Sequence, residues 1–202
     1  MKLSKYFPAL KHFNIPNMIT TLGLVLGIFA AYFLTQQDLR MAIIMLGFAG
    51  LMDLMDGWVA TKLNQQTEFG QYLDTLVDFF ICCIMPIWMV HDLLIHGSLW
   101  ENPFIVLSLI FYCMCGLWRL AYYNIIEAKK HFTGLPVPGS MMFVTIAIWC
   151  VVMYGITVWL VIGTFFVIGL LMISGVQLTK YGLWQKAMGL IALVFGAVVI
   201  FS

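Results

Sequence analysis

The sequence predicts an all-α bundle of membrane-spanning helices, and three features lead there. Hydrophobic residues make up 63% of the 202 and charged residues only 9%, whereas soluble domains carry about a quarter charged residues. Such a chain cannot cover a water-facing surface, so lipid must be its main solvent. The apolar residues also come in continuous runs, close to the roughly 20 residues a helix needs to cross the hydrocarbon core, and not in the alternating pattern of a barrel. Finally, the basic residues gather in alternate connections between the runs. No internal repeat, low-complexity tract or long linker interrupts residues 1–202, which read as one membrane domain.

Residues 1–16 mix basic and aromatic side chains (Lys2, Tyr6, Phe7, Leu10, Lys11, Phe13). They are expected to lie on the membrane surface as an interfacial amphipathic helix, with a frayed tail as the alternative. Pro8 and Pro16 interrupt this stretch and no small-residue cleavage site comes after it, so no secretory signal is expected. Six or seven spans are expected beyond it, near Met18–Leu34, Met41–Leu63, Gln71–Val90, Pro103–Ile126, Ser140–Tyr154, Val158–Leu178 and Trp184–Phe201, the fifth and seventh being short. With the N-terminus in the cytoplasm, Lys2, Lys5, Lys11, Lys62, Arg119, Lys129, Lys130, Lys180 and Lys186 fall on the cytoplasmic side and only Arg40 outside. This orientation suits an inner (cytoplasmic) membrane. The net charge of +1 gives no sign of a nucleic-acid partner. Cys82, Cys83, Cys113, Cys115 and Cys150 lie inside apolar runs at spacings unlike a zinc site, and read as reduced, packed thiols.

Against this apolar background the acidic residues stand out. Five of the nine fall between Asp53 and Asp78. Asp53 and Asp56 close the second run at i, i+3, and Asp74 and Asp78 open the third at i, i+4, so each pair lies on one helix face. Consecutive helices joined by the short polar stretch 64–68 are expected to be antiparallel neighbours, with both pairs at the same cytoplasmic depth. A carboxylate at membrane depth costs several kcal/mol unless it is paired or bound to a cation. Lys62 and Arg119 are the only basic residues plausibly near, too few to neutralise four aspartates. Divalent cations would do so, and oxygen-only ligands favour Mg²⁺, Mn²⁺ or Ca²⁺ over zinc. Two metals sharing carboxylates are a common device for phosphoryl chemistry. The plainer reading is a set of helix-capping aspartates, which the paired spacing of all four disfavours. Gly57, Gly70 and Ala60 beside them leave room for a nucleotide-sized group, or serve helix packing.

Written out, the stretch is Asp53-x2-Asp56-Gly57-x2-Ala60-Thr61-x8-Gly70-x3-Asp74-x3-Asp78. It resembles the signature of the CDP-alcohol phosphatidyltransferases, D-x2-D-G-x2-A-R-x8-G-x3-D-x3-D, at seven of eight fixed positions. The resemblance implies that Asp53, Asp56 and Asp74 are metal ligands for two ions, Mg²⁺ or Mn²⁺. It further implies that Asp78 completes the second site and is the catalytic base, and that Gly57, Ala60 and Gly70 hold the CDP part of the donor. The family's Arg is Thr61 here, followed by Lys62, which points about 100° further round the helix. Pro16-Asn17-Met18-Ile19-Thr20 looks like the Pro-Asn-x2-Thr start of the family's first span, implying that Asn17 and Thr20 lie near the nucleotide. Arg119-Leu120-Ala121-Tyr122-Tyr123-Asn124 is similar to the R-L-A-R-[FY]-N stretch of integral-membrane phosphatidylserine synthases. Phe132-Thr133-Gly134-Leu135-Pro136-Val137-Pro138 is similar to their F-x-G-L-P-x-P loop, and Leu171-Met172-Ile173-Ser174 to their L-M-V-S stretch.

Within the family the closest resemblance is thus to those synthases. It implies CDP-diacylglycerol as donor and L-serine as acceptor, with Arg119, Asn124, Gly134 and Pro136 as candidate acceptor or phosphate contacts. Each also has a plainer reading: Arg119 snorkelling to headgroups, Asn124 capping a helix, and the proline loop simply connecting helices. Glycerol 3-phosphate, an inositol phosphate or choline are alternative acceptors. Phosphorylated acceptors need a basic pocket, and Arg119 is the only basic residue inside a span apart from the motif. A cation transporter is the alternative of another class, disfavoured by carboxylates clustered at one interface with no repeat. An inactive scaffold is the alternative that Thr61 raises. His91 and His96 lie on the far side from the aspartates, and Gly163, Gly169 and Gly175 are small residues compatible with a homodimer.

Overall fold

The computed structural model describes residues 8–94, 102–125, 131–179 and 183–201. Lys2, Lys5, His96, Lys129, Lys130 and Lys180 lie outside the described residues. A 3₁₀ turn, Pro8–His12, precedes helix α1 (Ile15–Thr35). Asn14 caps α1 by accepting the Asn17 N–H at 2.9 Å, and Pro16 occupies the first turn, where a missing N–H costs nothing. In the described part, then, the N-terminal segment is one 3₁₀ turn, and the spanning helix starts already at Ile15. The chain reverses through Gln36 and Gln37 (φ 60) into α2 (Leu39–Lys62), which Asp38 caps by accepting the Met41 N–H at 2.9 Å. Asn64 (φ 52) turns the chain again, and Thr67 accepts the Gly70 N–H at 3.0 Å to open α3 (Glu68–Asp78). Without a break α3 widens into a π-helical segment, Phe79–Ile84, and continues as α4 (Met85–Leu94). Then come α5 (Pro103–Ile125), strand β1 (His131–Thr133), α6 (Val137–Tyr154), α7 (Trp159–Ile173), β2 (Gln177–Thr179) and α8 (Leu183–Phe201).

Among the described residues five helical stretches are long and apolar enough to cross a membrane: Ile15–Thr35, Leu39–Lys62, Glu68–His91, Pro103–Ile125 and Val137–Tyr154. Trp159–Ile173 and Met188–Phe201 are shorter apolar helices. This is the polytopic helical bundle that the composition predicts. The expected span Val158–Leu178 differs: its helix stops at Ile173, about 22 Å long, short of the roughly 30 Å hydrocarbon core. The physical reason lies in the loop before α6. Gly134 N–H donates to the Val176 carbonyl at 2.8 Å and Leu135 N–H to the Leu171 carbonyl at 3.0 Å, so that loop takes acceptors a further helical turn would use. Gln177–Thr179 then leave the helix and pair antiparallel with His131–Thr133, Phe132 opposite Leu178.

Packing is set by where the small and aromatic residues fall. α1 lies along α2 as the most closely packed helix pair among the described residues, and α5 packs on α7. Gly169 of α7 would meet the Phe111 ring at 3.1 Å if it carried a Cβ, so this glycine serves a contact inside the chain. Tyr112 meets Phe165 edge-on at 5.0 Å, and Trp149 meets Phe195 of α8 at 6.2 Å. Exposed aromatics flank the bundle at both ends: Trp58, Tyr72, Trp118 and Tyr122 towards one surface, and Tyr32, Trp88, Tyr154 and Trp159 towards the other. Such belts mark the two membrane–water interfaces.

Gly134 carries the left-handed conformation (φ 75) that lets the loop dock, and a Cβ there would run into the Met172 carbonyl oxygen. Replacing Gly134 with Ala should therefore cost about 1–3 kcal/mol of stability. Thermal unfolding of the purified protein in detergent checks this, and an unchanged midpoint would remove the docking role of the loop.

Candidate active site

α2 and α3 each pack on α1, and the space left between them is the acidic pocket. As the short connection predicts, the two aspartate pairs face each other there. The three-residue turn between α1 and α2 draws α2 onto α1, while Gly23 of α1 allows the approach, its Cβ position lying 3.5 Å from Met52 Cβ. Gly27 does the same for α3's continuation, with Ile81 at 3.1 Å. Each aspartate pair therefore faces across a gap.

Into that gap point Asp53 and Asp56 from α2 and Asp74 and Asp78 from α3, with Thr20 and Gly23 of α1, Ala49, Gly50, Val77, Ile81 and Cys82 around them. Pro138 and Met141 of α6 close one side. Carboxylate oxygens of Asp53, Asp56 and Asp74 lie within 4.8 Å of one another. Asp56 is buried and the other three are half-buried. The Thr20 hydroxyl donates to Asp56 Oδ2, which fixes that carboxylate's orientation. The enclosed space is about 10 Å³, room for an ion or a water but not a nucleotide. Among the described residues no lysine or arginine lines it. Oxygen donors only, crowded together without a cation, are what a hard divalent ion such as Mg²⁺ or Mn²⁺ fits.

The remaining anticipated residues divide. Gly57 is exposed and a Cβ there would meet nothing within 4 Å, so this end of the motif is open to a large group. Ala60 is half-buried beside it. Thr61 caps its own helix end instead of reaching the pocket: its hydroxyl donates to the Gly57 carbonyl at 2.9 Å and accepts from Gln66 Nε2 at 3.0 Å. Lys62 is exposed, its ammonium 4.6 Å from the centre of the Trp58 ring. Asn17 and Gly70 meet each other: a Cβ on Gly70 would sit 2.8 Å from Asn17 Oδ1. Asn17 Nδ2 also donates to the His12 carbonyl at 2.7 Å, and the His12 ring stacks on Phe69 at 4.5 Å. These four residues tie the N-terminal turn, α1 and α3 together, outside the pocket lining.

On α5, Arg119 is buried at 7% exposure, so it does not snorkel. Its guanidinium carbon lies 4.6 Å from the Tyr123 ring centre, and its charge acts on Asp78. Its Nε is buried without a hydrogen-bond partner. Asn124 Nδ2 donates to the Thr75 hydroxyl at 3.0 Å, bracing α3 next to Asp74. Gly134 and Pro136 hold the loop against α7 and the start of α6, and neither lines the pocket; from that loop region it is Pro138 that does. Sequence reasoning passed over Gly23, Ala49 and Gly50. Their only signal is small size on apolar helices, which packing explains equally well.

The family model for CDP-alcohol phosphatidyltransferase matches residues 13–198, nearly the whole chain. A CDP-diacylglycerol–serine O-phosphatidyltransferase of Bacillus subtilis is 30% identical over 134 residues, covering 65% of this chain and 73% of the relative. The enzyme of the same name from Methanocaldococcus jannaschii is 29% identical over 175 residues, covering 87% and 78%. A CDP-diacylglycerol–glycerol-3-phosphate 3-phosphatidyltransferase of Aquifex aeolicus is 37% identical over 65 residues, covering 32% and 36%. With the four aspartates gathered in one pocket of a helical membrane bundle, the chain belongs to the CDP-alcohol phosphatidyltransferase family of membrane enzymes.

Proposed function

We propose that this enzyme transfers the phosphatidyl group of CDP-diacylglycerol to the hydroxyl of L-serine, giving phosphatidylserine and CMP, and that it needs divalent metal to do so. The observation that carries the reading is the set of carboxylate oxygens within 4.8 Å in a pocket that no basic residue lines among the described residues. Asp53, Asp56 and Asp74 would hold the metal, Asp78 sharing in a second site. Two ions there would neutralise the pyrophosphate oxygens and the departing CMP.

The chain's own residues do the rest. The pocket is ion-sized, so the donor's cytidine lies at the open end near Gly57 and its acyl chains stay in lipid. The acceptor hydroxyl attacks the phosphorus that carries the lipid, the bond to the CMP phosphate breaks, and Asp78 accepts the hydroxyl proton. Thr20 keeps Asp56 in one orientation. Arg119, buried and with Nε free, is placed to receive the carboxylate of serine beside Asp78. Arg119 is the single buried cation among the described residues, which suits a zwitterionic acceptor better than a phosphorylated one. The names of the Bacillus and Methanocaldococcus relatives point the same way. The basic residues expected at this end of the bundle support a site on the cytoplasmic side of the inner membrane.

Purified protein in mixed micelles should release CMP from CDP-diacylglycerol only when L-serine and Mg²⁺ or Mn²⁺ are both present, and EDTA should stop it. Release with glycerol 3-phosphate instead of serine would change the acceptor, and release untouched by EDTA would end the metal reading. Asp78→Asn should lower kcat about 10²–10⁴-fold while Mn²⁺ binding persists; near-normal turnover would take the base role from Asp78. Arg119→Gln should raise the KM for serine about tenfold or more with a smaller change in kcat. An unchanged serine KM would return Arg119 to a purely structural part.

A further inference from the structure

The acidic face of α3 is held by α5, and one contact between them has its cause in the sequence. Pro86 lies in α4. In a regular helix the Cys82 carbonyl would accept the N–H of residue 86, but proline has none and its ring crowds that carbonyl. The helix responds by widening: Phe79–Ile84 is π-helical, and the Met85 N–H reaches back five residues to the Phe80 carbonyl. The Cys82 carbonyl accepts instead from the Tyr112 hydroxyl of α5, at 2.8 Å. Tyr112 is fully buried, its ring fixed edge-on against Phe165. One turn further along α5, Gly116 has no room for a Cβ because Cys83 Sγ is there, so α5 lies flush on the wide turn.

Position gives this contact its consequence. Cys82 lines the acidic pocket, one turn beyond Asp78 and two beyond Asp74. A π turn holds one residue more than an α turn, which rotates the helix on its N-terminal side by about 100° relative to the helix on its C-terminal side. The phase at which Asp74 and Asp78 face the pocket thus depends on the wide turn staying wide. A backbone carbonyl without a donor costs several kcal/mol in lipid, so the turn is not stable at that width unless Cys82 is satisfied.

We propose that Tyr112 is a positioning residue for the aspartates: by holding the Cys82 carbonyl that Pro86 leaves without a donor, its hydroxyl fixes the wide turn that aims Asp74 and Asp78 into the pocket. The inference rests on the proposed role of those aspartates in metal binding. Its test is a double-mutant cycle on the chain in lipid nanodiscs, with Mn²⁺ affinity measured by electron paramagnetic resonance without substrates, and CMP release measured separately. Tyr112→Phe should weaken Mn²⁺ binding and lower kcat by about tenfold each, leaving the serine KM unchanged. Pro86→Ala gives Cys82 an N–H and lets the turn close, so it should lose Mn²⁺ affinity about as far as Y112F does, and in that background Y112F should add less than about twofold to the loss. Wild-type Mn²⁺ affinity in either single variant, or a Y112F loss that simply adds to that of P86A, would overturn the proposal. Should Y112F alone not fold, P86A decides: about tenfold weaker Mn²⁺ binding by the folded variant supports the proposal, and wild-type affinity overturns it. Wild-type protein that binds no Mn²⁺ would overturn the metal reading itself and this inference with it.

Discussion

Four carboxylates must coexist in one small pocket at the edge of a lipid-embedded bundle, with no basic residue on its walls among the described residues. Much of the rest of the structure can be understood from that constraint. Like charges so close repel strongly where the surroundings exclude water, and the bilayer offers no counter-charge of its own. The chain holds them by spreading them over two helices that both lean on a third. α1 packs along α2 and against α3, its glycines Gly23 and Gly27 setting the distances. The gap this leaves is about 10 Å³.

The same arrangement divides the labour between the ends of the site. The inner part, with Asp56 buried under the Thr20 hydroxyl, is rigid and small. The outer part, past Gly57, is open and carries exposed Trp58, Thr61 and Lys62 at the level of the headgroups. A donor with two acyl chains and a nucleotide suits such a place, because its apolar part never has to leave lipid while its pyrophosphate meets the carboxylates. Thr61, where the family has arginine, spends its hydrogen bonds on the helix end and on Gln66. The positive charge nearby comes from Lys62, held over Trp58 by a cation–π contact, and it is exposed and free to follow a substrate.

Fold class and motif were legible in the sequence for plain reasons. Apolar runs of spanning length and a nine-to-one bias of basic residues leave few alternatives to a helical membrane bundle, and carboxylates at i, i+3 and i, i+4 lie on one face whatever the tertiary structure. What did not show was anything set by contacts between distant segments. Asn17 and Gly70 look like two separate positions in the sequence, and the structure joins them as a knob and the hollow it fills. The end of α7 at Ile173 depends on the loop at Gly134 and Leu135 claiming its carbonyls, and apolar periodicity carries no trace of that. Likewise Pro138 is one proline among several until α6 brings it to the pocket wall.

α5 shows how these distant contacts add up to a site. It runs antiparallel to α3 and its π-helical continuation, and it touches that element at successive turns: Tyr112 on the Cys82 carbonyl, Gly116 on Cys83, Asn124 on Thr75. Tyr112 acts at the turn, and Asn124 braces the other end of α3. Together they leave α3 no freedom to rotate or slide, which is what a pair of aspartates needs if both are to point into a space of about 10 Å³. The one helix thus carries both the strut and the buried cation. Arg119 is set on the same helix face that braces the aspartates, so its place relative to the pocket is fixed by the contacts that fix α3.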